Sequence, residues 1–174
     1  LVTMTYPEMG NYGLNGVDGQ ASQALAVGLI VRNACTTPSN FRAEASLDAW
    51  LAERGHPHAP VMLDGAARTA QQAADGLGVA LGQIAKSIIF RRKPDGAAVL
   101  VVTSGDRRVD EKKVQALVCG EGSRLGRADA DFVKAATGFS IGGVSPVAHA
   151  SPCVTLVDAE LFRFERLWAA AGHP

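Results

Sequence analysis

The sequence predicts an α/β protein of the α+β type, in which helices flank a mixed β-sheet. Apolar stretches of strand length alternate with segments of helical spacing, but without the regular order of a βαβ repeat. Two neighbouring strands are separated only by Lys93-Pro94-Asp95-Gly96, which is too short for the crossover that parallel strands need. The sheet is therefore expected to contain an antiparallel hairpin.

Composition is that of a globular protein: 47% of the 174 residues are hydrophobic and 20% are charged. The 17 basic residues equal the 17 acidic ones, so any contact with RNA has to come from a local basic patch. No apolar run is long enough to span a membrane, and no signal peptide opens the chain. Three cysteines without zinc spacing favour a reducing, cytoplasmic location.

Three elements are predicted in the first 63 residues. Residues 27–32 form a strand-like apolar run, and residues 61–63 have the composition of a short strand. Between them, Ser46 can cap a helix that runs to about Arg54. Its apolar face consists of Leu47, Trp50 and Leu51.

The next elements are a capped helix and the hairpin. Thr69 and Gln72 have the spacing of a capping box, and Gly78 supplies the matching stop. The first strand of the hairpin covers residues 84–90, and the second, 97–103, is apolar enough to be a central strand.

Aspartates mark the starts of the later helices. Asp110 is expected to cap one helix, and Asp129 or Asp131 another that ends at Gly138. Residues 153–157 read as a strand, after which Asp158 would cap a final helix. The apolar stripe of that helix would be Leu161, Phe164, Leu167, Trp168 and Ala171.

Two stretches are candidates for a site. Lys86 lies in the middle of an apolar strand face, where a lysine has to snorkel to water, pair with an acid or reach an anion. In residues 137–146, Gly142 and Gly143 carry no Cβ, so another molecule can approach their amides closely. Ser145 adds a hydroxyl group there, although composition alone favours a tight bend.

Together these stretches resemble the YbaK / prolyl-tRNA editing domain family over about residues 47–174. The motifs follow the family's order and spacing: Ile84-Ala85-Lys86-Ser87, Val102-Thr103-Ser104-Gly105-Asp106 leading to residues 109–113, the 137–146 loop, and Thr155-Leu156-Val157-Asp158. The resemblance implies a curved, barrel-like sheet with a pocket at one end. It also implies further sequence at the carboxyl end, so an unpaired sheet edge is expected here.

The implied activity is hydrolysis of the ester of a misacylated tRNA by an aminoacyl-tRNA deacylase. Lys86 would hold a phosphate of the terminal adenosine or the developing charge, and the amides of Gly142 and Gly143 would stabilise the oxyanion. Substrate contacts are expected from Thr69, Ser87, Thr137, Ser145 and Asp158. Water or the substrate's own side chain would attack, so the resemblance implies no protein nucleophile, cofactor or metal.

The first segment is similar to a different family. Thr3-Met4-Thr5-Tyr6-Pro7, Gly10-Asn11-Tyr12-Gly13 and Ser39-Asn40-Phe41-Arg42 resemble the amino-terminal domain of the carbamoyl-phosphate synthetase small subunit. We therefore expect an appended segment at 1–45 and an editing domain at 46–174, as in a natural or engineered chimera. The resemblance brings no glutaminase residues.

Other interpretations stay open. The domain could bind a tRNA or nucleotide without turnover, or the first segment could act only by docking to a synthetase subunit. His56 and His58 indicate a surface turn rather than a metal site. His149 could be a base or simply part of the loop. The basic residues at 107–108 and 112–113 could hold phosphates, although such runs are usually solvated.

Overall fold

The structure is a computed structural model and describes residues 2–5, 29–32, 43–54, 60–63 and 67–172. Within these ranges seven strands form one sheet: β1 Val2–Thr5, β2 Leu29–Arg32, β3 Ile84–Lys93, β4 Ala98–Ser104, β5 Arg124–Arg127, β6 Val154–Val157 and β7 Arg166–Ala169. The α-helices are α1 Ala43–Glu53, α2 Ala70–Leu77, α3 Glu111–Val118 and α4 Ala130–Thr137. The chain also forms short 3₁₀ helices at Leu81–Gln83 and Ala159–Arg163.

The sheet is mixed and flanked by helices, which confirms the predicted fold class. The strand order is β1-β7-β3-β4-β6-β2, and β5 pairs with β3. β3 runs antiparallel to β4 and β5 but parallel to β7, and β4 runs parallel to β6. β1 and β2 lie at opposite ends of this path, so the sheet is open and does not close into a barrel.

Both ends of the sheet come from the first 32 residues. β1 pairs antiparallel with β7, and β2 pairs antiparallel with β6. The predicted strand at 27–32 is therefore confirmed for its described part. Because β7 has β1 on one edge and β3 on the other, the unpaired edge expected at the carboxyl end is not found at β7.

Three of the predicted helix caps, Thr69, Asp110 and Asp129, are confirmed. The hydroxyl of Thr69 accepts from the Gln72 amide, and the Gln72 side chain accepts from the Thr69 amide, which completes the capping box. Gly78 ends that helix in the left-handed conformation at φ 65°. Asp110 and Asp129 cap α3 and α4 by accepting from backbone amides of their first turns.

Successive side chains of β3 point to opposite faces of the sheet, and each face packs into a different hydrophobic cluster. Ala85 and Ile89 face one side, in a cluster with buried residues of α1 and α4. Phe90 faces the other side, in a cluster with α3. β4, buried along its whole length, contributes to both clusters, as predicted for a central strand.

Two predicted elements in the first part of the chain differ from the structure. α1 begins at Ala43, three residues before Ser46, although its apolar residues Leu47 and Leu51 are buried as expected. Residues 61–63 form no strand, and Val61 and Met62 are 44% and 72% exposed. Apolar composition favours a strand only where a neighbouring strand can pair with it, and none pairs with residues 61–63 among the described residues.

The predicted final helix is also wrong. Asp158 caps only the 3₁₀ helix Ala159–Arg163, and β7 follows immediately. The apolar residues after 160 fit helical spacing, but Leu167 and Ala169 also alternate with the more exposed Arg166 and Trp168. Pairing with β1 and β3 buries this alternating set and so outweighs the local helical spacing.

Candidate active site

Lys86 projects from the sheet face that α2 and α3 cover at its two ends. In the β3–β4 pair, Lys86 lies opposite Thr103 and Ile88 opposite Val101. Residues opposite each other in a sheet share a face, so Lys86 belongs to the side of Val101 and Phe90. The α2 cluster contacts Ile84 and the α3 cluster contacts Phe90, and Lys86 lies between them.

The Lys86 ammonium is anchored by backbone carbonyl groups. Its Nζ donates to the carbonyl oxygens of Gly105 and Arg107, at 3.1 and 2.7 Å. Burial lowers the pKa of Lys86, Arg108 adds to the lowering, and Asp106 and Asp158 oppose it. Because an ammonium carries three donors, this one retains a donor for an anionic ligand.

A cavity of about 370 Å³ opens beside this ammonium, and we call it the lysine cavity. It is lined by Lys86, Ile88, Ile89, Phe90, Thr103, Arg107, Arg108, Val109, Glu111, Arg127 and Ala128. Four of these side chains are cationic and one is acidic, while the remainder are mostly apolar. Such a lining suits a ligand with a flat apolar part and negative charge.

A second cavity of about 310 Å³ adjoins it and contains Asp158; we call it the aspartate cavity. The two cavities share Thr103 and residues 107–109 as a common wall. Asp158 accepts from the Thr103 hydroxyl at 2.9 Å and from the Glu160 amide at 3.0 Å. The carboxylate is thus fixed in position on the same face as Lys86.

A charged network fixes the segment that carries the lysine-binding carbonyls. Asp106 accepts from the Ser104 hydroxyl at 2.8 Å and from the Arg163 guanidinium at 2.6 Å. These two hydrogen bonds hold the pKa of Asp106 below its ordinary value. Arg107 pairs with Glu160 at 3.1 Å. These contacts join β4 to the Ala159–Arg163 helix and hold the position of residues 105–107.

One edge of β3 is open where it borders this site. β4 occupies one edge of β3 from Ala85 to Arg91. On the other edge, β7 pairs with residues 84–85 and β5 with residues 90–93. Within the described part of the chain, no strand pairs with residues 86–89 on that edge. A ligand therefore has access to the backbone beside Lys86.

The glycine loop, residues 138–146, forms a tight turn. The Gly143 amide donates to the Ser140 carbonyl oxygen at 3.0 Å, and Gly142 adopts φ 96°. The left-handed conformation thus lies at Gly142 and not at Gly143, which is buried. Among the described hydrogen bonds the Gly142 amide has no acceptor, so it is the amide of this pair that is available to a ligand.

Buried polar groups hold the rest of this loop. The Ser145 carbonyl oxygen lies 2.8 Å from His149 Nε2, so that nitrogen carries a proton and donates. Burial lowers the pKa of His149, which keeps the ring neutral. The Ser145 hydroxyl accepts from the Val147 amide at 3.3 Å, and the Thr137 hydroxyl accepts from the Phe139 amide at 3.1 Å. Within this geometry, His149, Ser145 and Thr137 shape the loop.

The predicted site residues fall into two groups. Lys86 and Asp158 lie at the two adjoining cavities. Phe139 and Val144 of the glycine loop pack in the core on the opposite face, which is also the face of Ser87. No residue of 137–146 lines either cavity. The Ser87 hydroxyl is buried and has no hydrogen-bond partner among the described residues, and Thr69 is engaged in its helix cap.

Comparison with known proteins identifies the domain that carries these cavities. The family model described as the aminoacyl-tRNA editing domain matches residues 64–174. The chain belongs to this family.

Solved structures agree with this assignment. A crystal structure of a candidate trans-editing enzyme for prolyl tRNA synthetase is 37% identical, with a TM-score of 0.68 over 78% of this chain and 84% of that one. A protein from work on computational grafting of epitope backbones onto scaffolds is also 37% identical, with a TM-score of 0.67 over 76% and 82%. The editing domain thus shares its fold with both.

Residues 1–63 match the family model of the carbamoyl-phosphate synthase small chain, CPSase domain. The small chain from Bacillus caldolyticus is 51% identical over 57 residues, which are 33% of this chain and 16% of that protein. The chain therefore spans about a sixth of the length of this relative. Similarity to two families within one chain supports the interpretation as a chimera, while the boundary at residue 45 stays a prediction.

Sequence reasoning missed Thr103 and Arg127 as members of the site. The signal for Thr103 was available, because counting outward from the Pro94-Asp95 turn places it opposite Lys86. Arg127 could not be found in this way, since Arg124–Arg127 contains a glycine and lacks an apolar alternation that would predict a strand.

The described part of the chain contains no group of three His, Cys, Asp or Glu side chains arranged to hold a metal ion. None of its helices is long and apolar enough to cross a membrane. His56, His58 and Cys35 lie outside the described residues.

Proposed function

We propose that this chain hydrolyses the ester bond of misacylated tRNA and that the lysine cavity receives the terminal adenosine. One observation supports this proposal above the others. In a domain of the editing family, a partly buried ammonium with a donor to spare stands beside a cavity with cationic and apolar walls. That combination suits a nucleoside carrying a phosphate.

Each predicted residue has a role in the proposal. Lys86 holds the adenosine phosphate or the charge that develops on the ester oxygen. Asp158, fixed by Thr103, accepts a hydrogen bond from the ribose or from the amino group of the amino acid. The amide of Gly142 is the donor for the oxyanion, and Gly143 keeps that turn free of a Cβ. Substrate contacts are further proposed for Thr69 and Ser87, while Thr137 and Ser145 are proposed to act through the loop that they hold in shape.

The reaction is a transfer of the acyl group to water or to a nucleophile on the substrate. For water, its oxygen forms a bond to the ester carbonyl carbon, and the bond from that carbon to the ribose oxygen breaks. The ribose oxygen takes up one proton of the water, the other passes to solvent, and the amino acid leaves as a carboxylate. The open edge of β3 beside Lys86 gives the ester access to the backbone during this step.

The similarity to a candidate trans-editing enzyme for prolyl tRNA synthetase selects the first substrates to test. Misacylated tRNAPro and a panel of other misacylated tRNAs would be incubated with the whole chain, and the loss of labelled amino acid measured. We expect at least one of them to be deacylated well above its spontaneous rate. Spontaneous rates across the whole panel would contradict the proposal.

A binding module without turnover is the second candidate. The observation in its favour is that the Gly143 amide is already used in the turn and the glycine loop lines neither cavity. If tRNA binds tightly to the chain while every ester in the panel survives, this second function replaces the first.

A further inference from the structure

The four cationic side chains of the lysine cavity differ in whether they already have partners within the protein. Arg107 is paired with Glu160, and Lys86 donates to two carbonyl groups. Arg108 and Arg127 are exposed and make no ion pair or hydrogen bond through their side chains within the described part of the chain. Two guanidinium groups therefore stand at this cavity with their full donor capacity unused.

The sheet register places Arg127 on the same face as Lys86. Arg127 lies opposite Phe90 in the β3–β5 pair, and Phe90 shares its strand face with Lys86. β5 thus brings Arg127 to one end of the open stretch of β3. Arg108 lies on the wall between the lysine and aspartate cavities. The two cations therefore belong to different walls of one cavity, with Lys86 as a third.

We propose that Arg108 and Arg127 bind the phosphodiester backbone of the RNA strand that enters the lysine cavity. This inference rests on the proposed function and names the residues that hold the RNA next to the ester. A guanidinium group matches the geometry of a phosphate and binds it through paired N–H donors. Lys86 has one free donor and can bind one phosphate. Arg108 and Arg127 lie on other walls of the cavity, so the three cations together suit a ligand with several phosphates. Such contacts contribute binding that does not depend on base sequence.

The test measures the affinity of the whole chain for uncharged tRNA as a function of salt concentration. The variants are Arg108→Gln, Arg127→Gln and their combination. Arg124→Gln is the matched control, because Arg124 lies on the same strand as Arg127 and is exposed, but points to the other sheet face and lines neither cavity. Arg127→Lys retains the charge without the planar group.

We expect each cavity variant to weaken binding and to reduce the slope of log affinity against log salt by about 0.7–0.9, the value for one phosphate contact. The double variant should lose about twice as much slope. Arg124→Gln should keep the wild-type slope, and Arg127→Lys should keep the slope with a smaller loss of affinity. Both target side chains are exposed, so the melting temperature should not change.

The inference is overturned if Arg108→Gln and Arg127→Gln bind like the wild type, or if Arg124→Gln loses as much slope as they do. Deacylation is measured in parallel to separate the two proposals. Wild-type deacylation with unchanged slopes in the variants refutes only the phosphate contacts. Arginine-dependent binding without any deacylation refutes only the hydrolysis.

Discussion

The lysine cavity and the glycine loop differ in how they use their polar groups. At the lysine cavity, one ammonium donor and two guanidinium groups are left for a ligand. In the loop, the Gly143 amide bonds to the Ser140 carbonyl oxygen, the Thr137 hydroxyl to the Val133 carbonyl oxygen, and the Ser145 carbonyl group to the His149 ring. The comparison teaches that the cavity has the capacity to bind, whereas the loop is built to hold one conformation.

Within the glycine loop, the largest effect is expected from Gly143→Val. If the loop approaches the ester, a side chain at Gly143 would keep the ester from the Gly142 amide. Turnover should then fall about a hundred- to a thousandfold, the cost of losing an oxyanion donor. Turnover and melting temperature would be measured together, with Gly143→Ala as a milder change. A variant that melts lower but deacylates normally would show that the loop has only a structural task.

Gly142→Ala is the matched comparison within the loop. Gly142 adopts φ 96°, so alanine there should cost about 1–3 kcal/mol of folding free energy through backbone strain. The positive φ lies at Gly142 and not at Gly143. Gly142→Ala should therefore mainly lower stability, whereas substitution of Gly143 should mainly lower turnover. Equal losses of stability in both variants would contradict this division.

Gly105→Ala, a change next to the carbonyl groups that bind Lys86, should have an effect of intermediate size. A Cβ at Gly105 would overlap the carbonyl oxygen of Leu81, which belongs to the backbone and cannot move alone. Gly105→Ala should therefore lower the free energy of unfolding by about 1–3 kcal/mol. It should also displace a carbonyl group that holds Lys86 and so weaken deacylation in molecules that stay folded. Denaturant titration and single-turnover rates check both effects, and wild-type values in both would contradict the described packing.

The pKa of Lys86 predicts a pH dependence. Burial lowers it below the ordinary value of 10.5, Arg108 lowers it further, and Asp106 and Asp158 oppose the shift. Activity that needs the ammonium should therefore fall as the pH rises through the lowered pKa, before 10.5 is reached. Rates corrected for spontaneous ester hydrolysis would show this fall, and Lys86→Arg should not show it, since its guanidinium stays charged.

Stability should change in the opposite direction over the same range. The unfolded chain binds this proton more tightly than the folded chain, so the free energy of unfolding gains a contribution from Lys86 as the pH rises between the two pKa values. Lys86→Met should remove that contribution. A stability that falls by the same amount in wild type and variant over this range would contradict the lowered pKa.

Several features of the fold could be predicted from local residues. The hairpin turn at Pro94-Asp95, the aspartate caps and the glycine stops depend on interactions within a few positions. β5 and β7 could not, because their pairing with β3 depends on residues distant in sequence. For the site, the placement of Lys86 in an apolar row was visible, whereas Arg127 reaches the cavity only through the unpredicted β5.

The smallest effect on turnover is expected from removing residues 1–42. They carry none of the proposed site residues, so deacylation per folded molecule should stay within about twofold of the wild type. Stability should decrease, because β1 and β2 cover the outer edges of β7 and β6. Melting curves and turnover of the shortened chain check this. A folded but inactive product would assign the first segment a direct part in the site.

The central claim is that the Lys86 ammonium serves the reaction at the lysine cavity. Its most direct test is the single-turnover deacylation rate of Lys86→Ala on the best substrate of the panel, with Arg124→Gln as the control. We predict a loss of about a hundred- to a thousandfold for Lys86→Ala at an unchanged melting temperature, and a wild-type rate for the control. A rate for folded Lys86→Ala close to that of the wild type would contradict the account.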